Sequence, residues 1–212
     1  ANATPSATDV PKRQHMLVCP CGAEVAEDHS FDSATDKCVC GVVGYDLRIS
    51  DVQMVGMEGQ TVDVTALVGN SDKVSGKMIF DPATWTLNLD GTCAINSTTS
   101  GIDVETAPLT IRGGMLDVDA GICGISAGST LVIDSCALDI SGETAIWCDD
   151  SVRICNGSNV IADAPEGFAI ISQNLTVENS VLLSDAVSDS GDFENYGLSA
   201  KDKYVFLADS NG

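Results

Sequence analysis

Apolar and polar residues alternate along this chain in short bursts, and between Trp85 and Leu183 the bursts recur at a nearly fixed spacing. Leu87-Asn88-Leu89, Leu109-Thr110-Ile111, Leu131-Val132-Ile133, Val152-Arg153-Ile154 and Leu175-Thr176-Val177 follow one another at intervals of 22, 22, 21 and 23 residues. Alternation at period two predicts β-strands, and a fixed period of this length predicts one supersecondary unit stacked on copies of itself. Two more bursts fall within each period. One comprises Cys93-Ala94-Ile95, Leu116-Asp117-Val118, Leu138-Asp139-Ile140, Val160-Ile161 and Val181-Leu182-Leu183. The other comprises Ile102-Asp103-Val104, Ile122-Cys123, Ile146-Trp147-Cys148 and Phe168-Ala169-Ile170. Three strands per period, separated by Gly, Ser, Asn or Asp, predict an all-β fold: a parallel β-helix of about five to six rungs of 21–24 residues over 83–187.

Stacking turns equivalent positions into columns. Leu87, Leu109, Leu131, Val152 and Leu175 form an expected inward column; Asp90, Arg112, Asp134, Cys155 and Glu178 form an expected outward one, with Arg112 between two acids. Cys93 and Cys148 fall at inward positions, whereas Cys136 and Cys155 share a corner in adjacent rungs where a bridge is conceivable. Trp147 lies between two inward positions, Ile146 and Cys148, and is therefore expected to face out.

Four segments flank or precede the coil. Residues 1–14 read as a polar linker, with the small polar composition expected after a removed secretion signal, and 15–43 as a cysteine module. Residues 44–82 read as a β-rich cap, with strands at Asp46-Leu47-Arg48-Ile49 and Val62-Asp63-Val64-Thr65 and a stop at Pro82, covering the first rung's open edge. Residues 188–212 read as a terminal strand, Tyr204-Val205-Phe206-Leu207, within an acidic tail.

Nine cysteines, an odd number, leave at least one unpaired. Cys19-Pro20-Cys21-Gly22 and Cys38-Val39-Cys40-Gly41 are two Cys-x-Cys-Gly knuckles in which glycine permits a positive φ. Four thiolates from Cys19, Cys21, Cys38 and Cys40 around one zinc ion would make a closed, structural tetrahedral site; disulfides or free thiols are the alternatives. A single residue between paired cysteines strains double ligation, which brings in His29 as an alternative ligand and His15 as a weaker one. The run Asp28-His29-Ser30-Phe31-Asp32 followed by Lys37-Cys38-Val39-Cys40-Gly41 resembles zinc-ribbon-like modules of surface proteins of anaerobic bacteria.

A second resemblance covers residues 46 to about 187. Gly76 to Gly91, read as Gly-Lys-Met-Ile-Phe-Asp-Pro-Ala-Thr-Trp-Thr-Leu-Asn-Leu-Asp-Gly, with Gly101-Ile102, Leu109-Thr110-Ile111 and Gly113-Gly114-Met115-Leu116-Asp117-Val118, is similar to bacterial surface β-helix proteins of the carbohydrate-binding type. The resemblance implies a right-handed coil and a cell-surface role in glycan contact.

Charge narrows the partners. With 10 Lys+Arg against 31 Asp+Glu, the formal net charge is -21, and no cationic stripe exists for nucleic acid or an anionic membrane surface. No apolar run approaches the length of a membrane span. From Trp85 to Leu183 the only cations are Arg112 and Arg153, and histidine is absent, which argues against a polysaccharide lyase or hydrolase. The expected role is a non-catalytic, secreted or cell-surface module that binds a polysaccharide or surface glycan. Trp147 would cover a sugar face while Asp149 and Asp150 accept hydroxyls. A structural stalk or spacer is the alternative. Asp117, Asp119 and Asp139 stack closely enough to suggest calcium.

Overall fold

The computed structural model describes residues 14–18, 24–164, 167–184, 197–201 and 205–207. At its N-terminal end, strands β1 (Gln14–Val18) and β2 (Glu24–Asp28) pair antiparallel as a two-stranded sheet of their own. A knuckle at Asp36–Gly41 follows, with Gly41 at φ 89°. That positive φ is the one the Cys-x-Cys-Gly pattern anticipates.

The cap is built from β3 (Val42–Ile49), β4 (Val52–Met57), β5 (Val62–Asp63), the short helix α1 (Val64–Val68) and β6 (Val74–Asp81). Asp63 starts the helix by accepting the Ala66 N–H, and Gly69 ends it at φ 63°. The helix buries Val64, Leu67 and Val68.

The coil has three faces. The first stacks the start of β7 (Thr86–Ser97), β9 (Leu109–Arg112), β12 (Leu131–Asp134), the ends of β14 (Thr144–Cys155) and β16 (Phe168–Glu178), and β18 (Gly197–Lys201), all in parallel. The second stacks the end of β7, β10 (Met115–Ala120), β13 (Ala137–Ser141), β15 (Asn159–Asp163), β17 (Val181–Ser184) and β19 (Val205–Leu207). The third stacks β8 (Ser100–Val104), β11 (Cys123–Ala127) and the starts of β14 and β16. The parallel β-helix is thus as expected, with about four complete turns. The five to six rungs of the sequence pattern survive on two faces only.

Cap strands close the coil's first edge. β6 runs antiparallel along β7 from Asp81↔Thr86 to Val74↔Ile95, and β3 pairs with β8 at Arg48↔Asp103 and Ile49↔Ile102. Asp46 tightens the join by accepting the N–H groups of Glu105 and Thr106 at 3.2 and 2.7 Å. Edge N–H and C=O groups that would invite another chain are paired within the molecule.

Columns are aliphatic inside. Leu109, Leu131, Val152 and Leu175 stack on the first face, Cys93, Leu116, Leu138, Val160 and Leu182 on the second, and Ile102, Ile125, Ile146 and Ile170 on the third, all buried. Three registers differ from the sequence expectation. Leu87 stacks on Ile111, not Leu109, and β7 passes from the first face to the second over one more residue than the next turn does, with Gly91 at φ 77° in that stretch. Asn88, and not Asp90, therefore neighbours Arg112, while Asp90 is drawn to Lys77 of β6 at 2.8 Å. On the third face the inward residues are Ile125 and Ala127, and Ile122 is 52% exposed, because Gly121 and Ile122 are spent on the corner. Likewise Ile170 and Ser172 point inward, and Phe168 is 40% exposed.

Each later turn leaves the first face through a residue in the left-handed region: Gly113, Ser135, Asn156 and Asn179, at φ 74, 56, 59 and 48°. Glycine and asparagine take this conformation at low cost, which explains the polar punctuation after every Leu-x-Ile burst. Two members of the column just before the corner are more buried than outward positions should be, while Arg112 stays exposed. Asp134 is 6% exposed and Cys155 2%.

Candidate metal centre and outer face

Two places carry chemistry beyond packing. The first joins the hairpin to the knuckle. His15 lies on β1, His29 directly follows β2, and Cys38 and Cys40 sit on the knuckle before β3. The one-residue gap does not separate the thiols: both cysteines are buried, with Val39 between them 89% exposed. The turn between them, closed by the Gly41 N–H donating to the Cys38 carbonyl at 2.8 Å, brings the two thiols to the same side. Donor atoms of His15, His29, Cys38 and Cys40 all lie within 4.8 Å of one another. The two Nδ1 atoms are 3.3 Å apart, Cys38 Sγ is 3.6 Å from His15 Nδ1, and Cys40 Sγ is 3.4 Å from His29 Nδ1.

These separations have a simple geometric meaning. An ion bound tetrahedrally at about 2.0–2.1 Å from nitrogen and about 2.3 Å from sulfur spaces its ligands about 3.3 Å (N to N) and about 3.5 Å (N to S). The four donors therefore stand near the corners of a tetrahedron a metal ion could fill. Burial raises the Cys38 thiol, but backbone hydrogen bonds from Cys40, Ser30 and Val39, together with the Cys40 side chain, outweigh it and bring Cys38 below its ordinary range. Burial, and then proximity to Cys38, push the Cys40 thiol up. A cation between the two sulfurs would displace both protons.

Of the sequence-predicted ligands, Cys38, Cys40 and His29 meet here. His15, ranked below His29 by sequence, stands equally close. Cys19 and Cys21 lie outside the described residues. The signal that could have raised His15 is the hairpin itself: pairing Gln14 with Asp28 sets His15 beside Glu27, two positions before His29 and so on the same side of the hairpin.

The second place is the outer side of the third face. Trp147 is 46% exposed and faces out, as the alternation predicts. Its indole N–H donates to Asp149 Oδ1 at 2.8 Å. Asp149 and Asp150 belong to a register shift between Cys148 and Ser151, where β14 carries an extra residue relative to β16. The bulge lifts both carboxylates into solvent, and Asp150 accepts from Thr130 Oγ1 at 3.2 Å. Trp147 lies between Ser126 and Ile171 in its column.

Asp117 and Asp139 are paired neighbours on the outward side of the second face, with Asp119 two positions along. Burial, then Asp117 and Asp163, push the Asp139 carboxyl up. Their oxygens do not draw together, since among the described residues the His15, His29, Cys38 and Cys40 group is the one metal-sized gathering of such donors.

The five coil cysteines are all free and buried, so the conceivable Cys136–Cys155 bridge is not formed. Cys93 and Cys148 are inward, as expected. Burial pushes the Cys123 and Cys136 thiols up to about 11 and raises those of Cys93, Cys148 and Cys155, which keeps them protonated.

No family model matches the chain, and neither does any curated protein or solved structure.

Proposed function

We propose that this chain is a non-catalytic, secreted or cell-surface module that holds a polysaccharide or surface glycan against the third face around Trp147. The observation that carries the reading is the pose of Trp147: half exposed, yet fixed by its own N–H to Asp149 at 2.8 Å. A ring held in place loses little freedom when it covers the apolar side of a sugar, and the flanking carboxylates of Asp149 and Asp150 suit hydroxyl donors. Both guanidiniums of the coil are already engaged, Arg112 with Asp134 at 2.5 Å and Arg153 with Glu178 at 2.7 Å, which speaks against either serving as a base.

A glycan array with wild type and Trp147→Ala tests the proposal. Saturable binding by wild type, weakened about tenfold or more in the variant, is expected for a central aromatic anchor worth about 1–2 kcal/mol. Equal binding by both overturns it, and no saturable binding by wild type favours the stalk.

For the His and Cys group we propose zinc in a structural role. Two imidazoles and two thiolates are the donor set that tetrahedral zinc prefers, and four protein ligands leave no position for substrate.

A further inference from the structure

The β1–β2 hairpin forms a sheet separate from the seventeen-stranded sheet of cap and coil. A lone two-stranded hairpin is marginal in water, so something other than strand pairing must hold it. Its two histidines, His15 on β1 and His29 just past β2, both point their Nδ1 atoms at the knuckle thiols. Those thiols belong to a segment already tied to the cap. Cys38 N–H donates to the Val42 carbonyl at 2.8 Å, and Gly44 N–H donates to Asp36 at 2.8 Å. Half of the donor set is thus on or just past the hairpin, whose sheet is separate, and half on the anchored knuckle, which Phe31 already bridges at Cys38.

We infer that zinc held by His15, His29, Cys38 and Cys40 is the clasp that docks the β1–β2 hairpin onto the cap. The inference rests on the zinc reading above and adds its consequence for the hairpin. Each imidazole binds through a neutral nitrogen lone pair and each sulfur as thiolate, so loading releases the two thiol protons and joins two segments that no shared sheet joins. The coil is held by strand pairing and by a continuous core, and of the four ligands that core takes in Cys38 and Cys40, on the knuckle before the cap. Metal occupancy therefore sets the order of the hairpin and leaves the coil unchanged.

The test uses the full chain. Zinc content is measured by elemental analysis, and amide hydrogen exchange is followed with zinc bound and after chelation. Stoichiometric zinc is expected in wild type, and a loss of affinity of about tenfold or more in His15→Ala and in His29→Ala. Chelation is expected to speed exchange over 14–18 and 24–28 by about tenfold or more while exchange over 86–178 stays as it was. The unchanged coil also shows that the variants fold. If wild type takes up no zinc, the zinc reading itself fails. If it takes up zinc but the hairpin's exchange is indifferent to chelation, or the coil loosens with it, the clasp alone fails. Zinc kept by both histidine variants but lost in Cys19→Ser or Cys21→Ser would return the site to four cysteines and overturn the ligand set.

Discussion

Asp134 illustrates how far one position can depart from its place in a pattern. By alternation it belongs to an outward column, yet it is buried and fully partnered. Arg112 Nε and Nη2 reach its Oδ2 at 3.0 and 2.5 Å, and Asn156 Nδ2 and Ser135 Oγ reach its Oδ1 at 2.7 and 2.9 Å. The hydrogen bond from Asn156, then those from Arg112 and Ser135, hold its carboxyl down at about 2 against an ordinary 3.8. A depressed folded pKa contributes stability that is complete above the unfolded value and is lost as pH falls toward 2, here about 2 kcal/mol. Urea unfolding at pH 5 and at pH 2 should therefore show a smaller acid loss in Asp134→Asn than in wild type, by about that amount; equal losses would remove the carboxylate from this role. The column was legible in the sequence, but its burial was not. Burial depends on Asn156, in the left-handed corner one rung away, folding back over the strand end.

At the scale of the element, corners decide what strands can do. Gly101, Gly124, Ala145 and Ala169 occupy one buried column where the chain enters the third face. A methyl group on Gly124 would stand 2.2 Å from Ile140 Cγ2 and 2.5 Å from the Ala145 carbonyl oxygen. Gly124→Ala should cost about 1–3 kcal/mol of overpacking, read as a lower urea midpoint with an unchanged slope; an unchanged midpoint would mean the corner has room. The same corner explains the misread third strand. Ile122-Cys123 looks like an apolar pair after glycine, but Gly121 and Ile122 make the turn, and the inward positions are reached at Ile125 and Ala127. The first and second faces were legible because their bursts keep apolar–polar–apolar order. The metal centre was half legible: cysteine spacing announces it, whereas the contribution of His15 depends on hairpin register, which spacing within one strand does not encode.

Across the whole molecule, a formal charge of -21 surrounds a core that is almost entirely aliphatic. Ion pairs relieve part of it, among them Lys37 with Glu58 and Lys77 with Asp90. The remaining carboxylates repel one another over the outer faces, an effect that salt screens over about 10 Å at 0.1 M. Thermal midpoints should rise as sodium chloride is raised toward about 0.5 M, and a midpoint that falls would mean attractive pairs outweigh the repulsion. No helix among the described residues is long and apolar enough to cross a membrane. The cap strands carry one more consequence, which concerns time. Rung-to-rung pairings such as Leu109↔Leu131 join residues one turn apart, but Arg48 and Asp103, where β3 closes β8, are 55 positions apart. Closing the longer loop costs more entropy before any contact repays it, so the coil can zip from turn to turn while that edge is still open. A nascent chain would therefore expose the very edge that the finished molecule hides, and the speed of closing it sets how long one copy can be trapped by another.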